Sequence, residues 1–132
     1  MVGGYGQYTY KNNIRKYDFD QAKWKNIEFT VDDTFSYRNG AIITPFDEKS
    51  VLIYGTGGNK YGHQKYGKNR LNDLWKYDIE KESLKKLKEN VFPNSEIPDQ
   101  GSIQAVYAEG QLFFISLEDQ FNKNNINLLN IW

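Results

Sequence analysis

Ile14-Arg15-Lys16-Tyr17-Asp18-Phe19 and Leu74-Trp75-Lys76-Tyr77-Asp78-Ile79 are one pattern written twice, 60 residues apart. A looser third copy, Ile126-Asn127-Leu128-Leu129-Asn130-Ile131, follows after a further 52. A second segment repeats without a gap at a shift of 61: Gly40 matches Gly101, Phe46 matches Tyr107, Glu48 matches Glu109, Val51 matches Leu112, and Ile53 matches Phe114. A period of this length marks a repeat protein, in which each unit hides its apolar face against its neighbours.

The content of one unit follows from the residues between these anchors. Ala41–Phe46 and Val51–Tyr54 are short apolar runs joined by Asp47-Glu48-Lys49-Ser50, which reads as two strands with a polar connection. Their counterparts Ile103–Tyr107 and Leu112–Ile115 flank Ala108-Glu109-Gly110-Gln111, where Gly110 can take a positive φ. Glycines follow the second strand in the first two units, Gly3-Gly4 and Gly55-Thr56-Gly57-Gly58, and Ser116 stands there in the third. Next come a loop, the Tyr-Asp strand, a short turn and a last strand, Trp24–Phe29 or Leu84–Lys88. Four short strands, each paired with the one before, make an antiparallel sheet, so the expected fold class is all-β. One stretch competes with this. Glu80–Val91 spaces Leu84, Leu87 and Val91 as an amphipathic helix would. Its counterpart Trp24-Lys25-Asn26-Ile27 has poorer helix formers and sits just after a turn, so a strand is expected there.

Composition narrows the class further. The 132 residues suit one ordinary domain, and 17 basic side chains balance 17 acidic ones, leaving no global field toward nucleic acid or an anionic membrane. Aromatics reach 16%, with ten Tyr and eight Phe, which fits many half-buried strands better than a helical bundle. The lack of cysteine excludes disulfides and thiolate metal sites and leaves the compartment open. No apolar run is long enough for a membrane span. Met1-Val2-Gly3-Gly4-Tyr5 lacks the basic start and apolar stretch of a signal peptide. Those first residues already belong to a repeat, so native sequence upstream is expected and localisation is left unknown.

The units resemble the kelch repeat. That family's unit has a Gly-Gly pair after its second strand, then Tyr-x6-Trp, in a four-stranded propeller blade. The first unit here has Gly3-Gly4 and Tyr17-x6-Trp24, and the second has Gly55, Asn72-Asp73-Leu74-Trp75-Lys76-Tyr77-Asp78 and Tyr77-x6-Leu84. Arg38-Asn39-Gly40-Ala41 is similar to the family's Arg-x-Gly-x opening, while Ser116 and Leu129 depart from the pattern. The resemblance implies a partial kelch-type β-propeller of antiparallel four-stranded blades. Residues 1–37 would hold strands two to four of a first blade, 38–97 a complete second blade, and 98–132 strands one to three of a third. It implies structural roles for Gly3, Gly4, Tyr17, Asp18, Trp24, Arg38, Gly40, Gly55, Trp75, Tyr77 and Asp78. Glycine lets a strand end close to another backbone. Trp and Tyr supply broad inter-blade contact. Asp18 and Asp78 are expected to bond backbone groups at the turn into the last strand. A ring takes roughly four to eight blades, so the chain is expected to be a piece of a longer protein or to complete a ring with copies of itself.

Alternating strand direction gathers the connections at one rim: Tyr5–Asn13, Thr30–Asn39, Asn59–Leu71, Asn90–Gln100 and Glu118–Asn124. The middle unit is longer there. Gly55 to Leu74 is 19 positions, against 11 from Gly3 to Ile14 and 10 from Ser116 to Ile126. The added stretch, Asn59–Arg70, holds three lysines, an arginine, two tyrosines and the single histidine, with no acid. The candidate partner-binding set is therefore Tyr8, Tyr10, Lys60, Tyr61, His63, Lys65, Tyr66, Lys68 and Arg70. Such residues suit a carboxylate or phosphate, with a tyrosine stacking on a sugar or base; the plain alternative is a mobile hairpin whose charges meet water.

The expected function is a non-catalytic recognition scaffold that binds another protein or further blades of the same propeller, with carbohydrate as an alternative ligand. Nucleic acid is disfavoured by the neutral charge. The competing reading is a propeller enzyme whose site is completed outside this chain. Some kelch-like propellers are sialic acid epimerases, or copper radical oxidases resembling galactose oxidase. The oxidase site needs a cysteine cross-linked to tyrosine and two histidines, which this chain lacks. Asp32-Asp33 and Glu118-Asp119 sit in expected loops without the facing partner that glycosidase chemistry requires. No catalytic residue, cofactor or metal ligand is assigned.

Overall fold

The computed structural model describes residues 1–28, 34–94, 97, 103–116 and 126–130. In chain order the strands are β1 (Val2–Gly6), β2 (Thr9–Asp18), β3 (Lys23–Ile27), β4 (Tyr37–Asn39), β5 (Ile42–Asp47), β6 (Ser50–Tyr54) and β7 (Gly57–Asn59). They continue with β8 (Asn69–Arg70), β9 (Leu74–Asp78), β10 (Ser83–Lys88), β11 (Ile103–Ala108), β12 (Gln111–Ser116) and β13 (Ile126–Asn130). All pairings among the described residues are antiparallel, and a 3-10 turn lies at Gln64–Tyr66. The protein is all-β.

β5, β6, β9 and β10 lie side by side in chain order as one four-stranded sheet. Its first hairpin turns at Glu48-Lys49, where the Lys49 N–H donates to Asp47 Oδ1 at 2.8 Å. β10 settles the helix-or-strand question at Glu80–Val91 in favour of a strand. Leu84 faces Tyr77 across the β9 ladder, so Leu84 and Leu87 become half-buried while the lysines between them face solvent or graze it. Burial against β9 overrides helical propensity here. The third sheet, β11-β12-β13, has a tight turn at Glu109-Gly110, both at positive φ (51° and 76°).

The repeat reaches the backbone in detail. Asp18 Oδ1 accepts from the Gln21 N–H at 3.0 Å, and Asp78 Oδ1 accepts from the Lys81 N–H at 2.8 Å. Ala22 and Glu82 close the two turns with φ of 49° and 50°. Gly3 and Gly55 also match: a Cβ would sit 2.4 Å from the Arg38 carbonyl oxygen at Gly3, and 2.5 Å from that of Leu71 at Gly55. A side chain at either position collides with main chain.

The sheets pack face to face through two apolar clusters. Val2, Ile14, Ile27, Phe35, Ile53, Trp75 and Tyr77 join the first sheet to the second. Leu52, Tyr54, Leu74, Val91, Phe92, Ile103, Leu112 and Phe114 join the second to the third. Neighbours Leu52 and Ile53 serve opposite clusters, as the period of two demands. Each fully buried side chain of this kind contributes roughly 1.5–3 kcal/mol.

One correction concerns the end of the molecule read as loops. Tyr5–Asn13 lies mostly in β1 and β2, and Tyr37–Asn39 is strand β4. Lys11 pairs with Arg38, and β4 pairs along its length with β7. Gly57 and Gly58 then pair with Arg70 and Asn69 of β8. The resulting order β1-β2-β4-β7-β8, with β3 on the other half of β2, makes one sheet from three rim segments. Arg38-Asn39, read as the opening of the second unit, thereby hydrogen-bonds within the first sheet.

Candidate functional site: a tyrosine-bearing sheet extension

Two hairpins meet at this end. The β1–β2 hairpin turns at Gln7-Tyr8, both at positive φ (48° and 68°), and pairs Gly6 with Thr9 and Tyr5 with Tyr10. The β7–β8 hairpin carries the inserted stretch. Gly58 is what lets β7 lie against β4, because a Cβ there would come within 1.9 Å of the Tyr37 carbonyl oxygen.

Asn59 holds the inserted stretch in shape. It is buried, its Oδ1 accepts from the N–H groups of Tyr61 (3.0 Å) and Gly62 (2.8 Å), and its Nδ2 donates to the carbonyls of His63 (3.0 Å) and Gly67 (2.6 Å). An amide with both ends bonded replaces the ladder that a loop lacks. The two hairpins are then stitched together: the Tyr10 N–H donates to the Gly62 carbonyl at 2.8 Å, and the Gln64 N–H donates to that of Tyr8 at 2.9 Å. The Tyr5 hydroxyl donates to Gln64 Oε1. The insertion is therefore a hairpin bonded to its neighbour, with its lysines in solvent.

The candidate residues divide sharply. Tyr8 (64% exposed), Tyr61 (59%) and Tyr66 (51%) stand out in solvent, together with Tyr5 (47%), which sequence reasoning omitted. The Tyr61 and Tyr66 rings lie 4.6 Å apart, with Lys60 Nζ and Lys65 Nζ each 4.8 Å from its own tyrosine's ring centroid. Lys68 is exposed beside them. Tyr10 is a correction: at 6% exposure it packs on Tyr5, ring centroids 5.3 Å apart, and offers no face to a partner. His63 is half-buried and structural, its Nδ1 accepting from the Lys65 N–H at 3.1 Å. Arg70 donates to the Ile97 carbonyl at 2.8 Å, away from the tyrosines.

Beneath the hairpins lies a buried ion pair. Arg38 makes a two-pronged contact with Asp73 (3.0 and 2.9 Å), donates to the Ser36 carbonyl (3.0 Å), and stacks 3.9 Å over Phe35. Trp75 Nε1 donates to Asp73 Oδ2 at 2.7 Å. Asp73 and Asn59 were not singled out from the sequence. The only signal was their place, Asp73 inside the repeated phrase and Asn59 at the head of the insertion.

Charge is segregated although the total is zero. Residues 5–13 and 59–70 carry Lys11, Lys60, Lys65, Lys68 and Arg70 and no acid. The turns at the opposite end hold Asp18, Asp20, Asp47, Glu48, Asp78, Glu80, Glu82 and Glu109 against Lys23, Lys49 and Lys81. An open groove of about 310 Å³ lies between the first two sheets, lined by apolar residues including Val2, Ile14, Trp24, Val51 and Tyr77. Among the described residues no group of three or more His, Cys, Asp or Glu is placed to hold a metal ion, and no helix is long and apolar enough to cross a membrane. Asp32-Asp33 and Glu118-Asp119 lie outside the described residues, as do most of the other rim segments. No protein-family model matches the chain, and no curated protein matches it either.

Proposed function

We propose that the protein is a non-catalytic recognition scaffold, a segment of a kelch-type propeller, whose sheet extension docks a protein partner. The repeated Asp turns, the matched glycines Gly3 and Gly55 and the face-to-face sheets support the propeller reading. One observation carries the function: four exposed tyrosines stand on two hairpins bonded to each other through main chain. A rigid aromatic surface loses little entropy on docking, and aromatic side chains commonly dominate protein contacts. Among the described residues at this end, His63 is committed to the turn and sets no base beside a nucleophile.

The test is site-specific photo-cross-linking in cells that make the protein. A photoreactive phenylalanine replaces Tyr61, or Glu48 at the opposite end. A discrete protein adduct from position 61 and none from position 48 is expected. The same adducts from both positions, or none at all, would sink the reading.

A further inference from the structure

We infer that the docked segment is an acidic peptide, a run of Asp and Glu side chains received by Lys60, Lys65, Lys68 and the hydroxyls of Tyr8, Tyr61 and Tyr66. This rests on the recognition reading above and names the chemistry of its partner. The two hairpins concentrate positive charge without a single carboxylate. Among the described residues Lys11, Lys60, Lys65 and Lys68 form no ion pair, whereas lysines at the other end are paired with turn carboxylates. There Lys25 meets Asp18 at 2.6 Å, Lys49 meets Glu80 at 3.1 Å, and Lys16 meets Glu82 at 3.6 Å. A surface left with unanswered ammonium groups is complementary to a chain of carboxylates.

At Tyr61 and Tyr66 ring geometry favours a peptide over a base or a sugar. Stacking needs an open aromatic face. The faces of Tyr61 and Tyr66 are occupied by Lys60, by Lys65 and by each other, and Tyr5 leans on Tyr10. With those faces covered, Tyr61 and Tyr66 offer a partner their phenol O–H, a donor matched to carboxylate oxygen. Lys60 Nζ and Lys65 Nζ each lie 4.8 Å from the ring centroid of their own tyrosine, so ammonium and phenol donors are offered side by side. The hairpins share backbone bonds, so the main chain that carries the donors needs no ordering on binding.

Fluorescence anisotropy with a labelled peptide of repeated Glu-Asp-Gly tests this on the full chain. Saturable binding that weakens as NaCl is raised is expected. The triple variant Lys60→Ser, Lys65→Ser, Lys68→Ser should lose on the order of tenfold in affinity. The opposite-end triple Lys23→Ser, Lys49→Ser, Lys81→Ser should change it by less than about twofold. Circular dichroism melts establish that both triples are folded. Absent peptide binding, equal loss in both triples, or an equally tight complex with labelled oligothymidylate of the same charge each overturn the inference, the last by assigning the face to nucleic acid. The two readings fail separately. A discrete adduct at position 61 with no acidic-peptide binding removes only the acidic partner, while no adduct removes the scaffold itself.

Discussion

The first and second sheets are the same sentence in different company. Their Tyr-Asp strands and turns superpose residue for residue, down to Ala22 and Glu82 at the same positive φ. Yet Tyr77 is buried and Tyr17 is half-exposed, and fully buried Trp75 in one sheet corresponds to half-exposed Arg15 in the other. The second sheet has an apolar cluster on each face, and the first shares only one. In the first sheet the tyrosine pairs directly with Trp24, rings 5.3 Å apart, leaving Trp24 half-exposed with Arg15 over its ring. Local geometry is thus inherited with the repeat, whereas the depth of burial is set by what stands alongside.

The largest break between the sheets should come at the buried ion pair. Asp73→Ala leaves Arg38 buried without its carboxylate and should cost about 3–5 kcal/mol, read from urea unfolding. Asn13→Ala at the matching place in the first sheet should cost under about 1 kcal/mol. Equal losses would show that the seam adds nothing to the second sheet. Next in size, Tyr77→Ala should destabilise by about 3 kcal/mol or more, and Tyr17→Ala by roughly 1 kcal/mol. The same denaturation measurement separates them.

Glycine substitutions should make the sheets look alike again. Gly3→Ala and Gly55→Ala each force a Cβ onto a carbonyl oxygen at a positive φ, and each should cost about 2 kcal/mol. Gly6→Ala, with open space around it and no positive φ, should change stability by less than about 0.5 kcal/mol.

The smallest effect is electrostatic. The Lys25 ammonium bonded to Asp18, helped by the Gln21 N–H, holds the Asp18 carboxyl below its ordinary pKa. A carboxylate depressed in the folded chain stabilises it above the unfolded pKa, and that contribution is lost as pH falls through the folded value. The melting temperature should therefore slope downward below about pH 4, and Asp18→Asn should flatten that slope. An unchanged slope would place the acid sensitivity elsewhere; Asp47, whose pKa is lowered by bonds from Ser50 and the Lys49 N–H, is the next candidate.

Much of this was legible beforehand. The four strands of the second sheet, the Gly110 turn, the Asp18 and Asp78 turns and the strand at Ser83–Lys88 all follow from periodicity and turn chemistry read over a few residues. The site was legible only in outline. Tyr8, Lys60, Tyr61, Lys65, Tyr66 and Lys68 are exposed at one end, but Tyr10 turned inward and Tyr5 was passed over. Tyr5 and Tyr10 are paired across their hairpin, so which of them is covered depends on the second hairpin, which bonds to the Tyr10 N–H from more than 50 residues away. Net charge was equally blind, because a sum carries no positions.

The sequence alone determined what short-range physics controls: an all-β chain, strands of period two, and where carboxylates tie the turns. Tertiary structure decided which copies of the repeat are buried, and that the long basic insertion is bonded to the first hairpin. Those outcomes depend on pairs such as Arg38 with Asp73, 35 residues apart, and Tyr10 with Gly62. Side chains that far apart in the chain meet only once the sheets have packed.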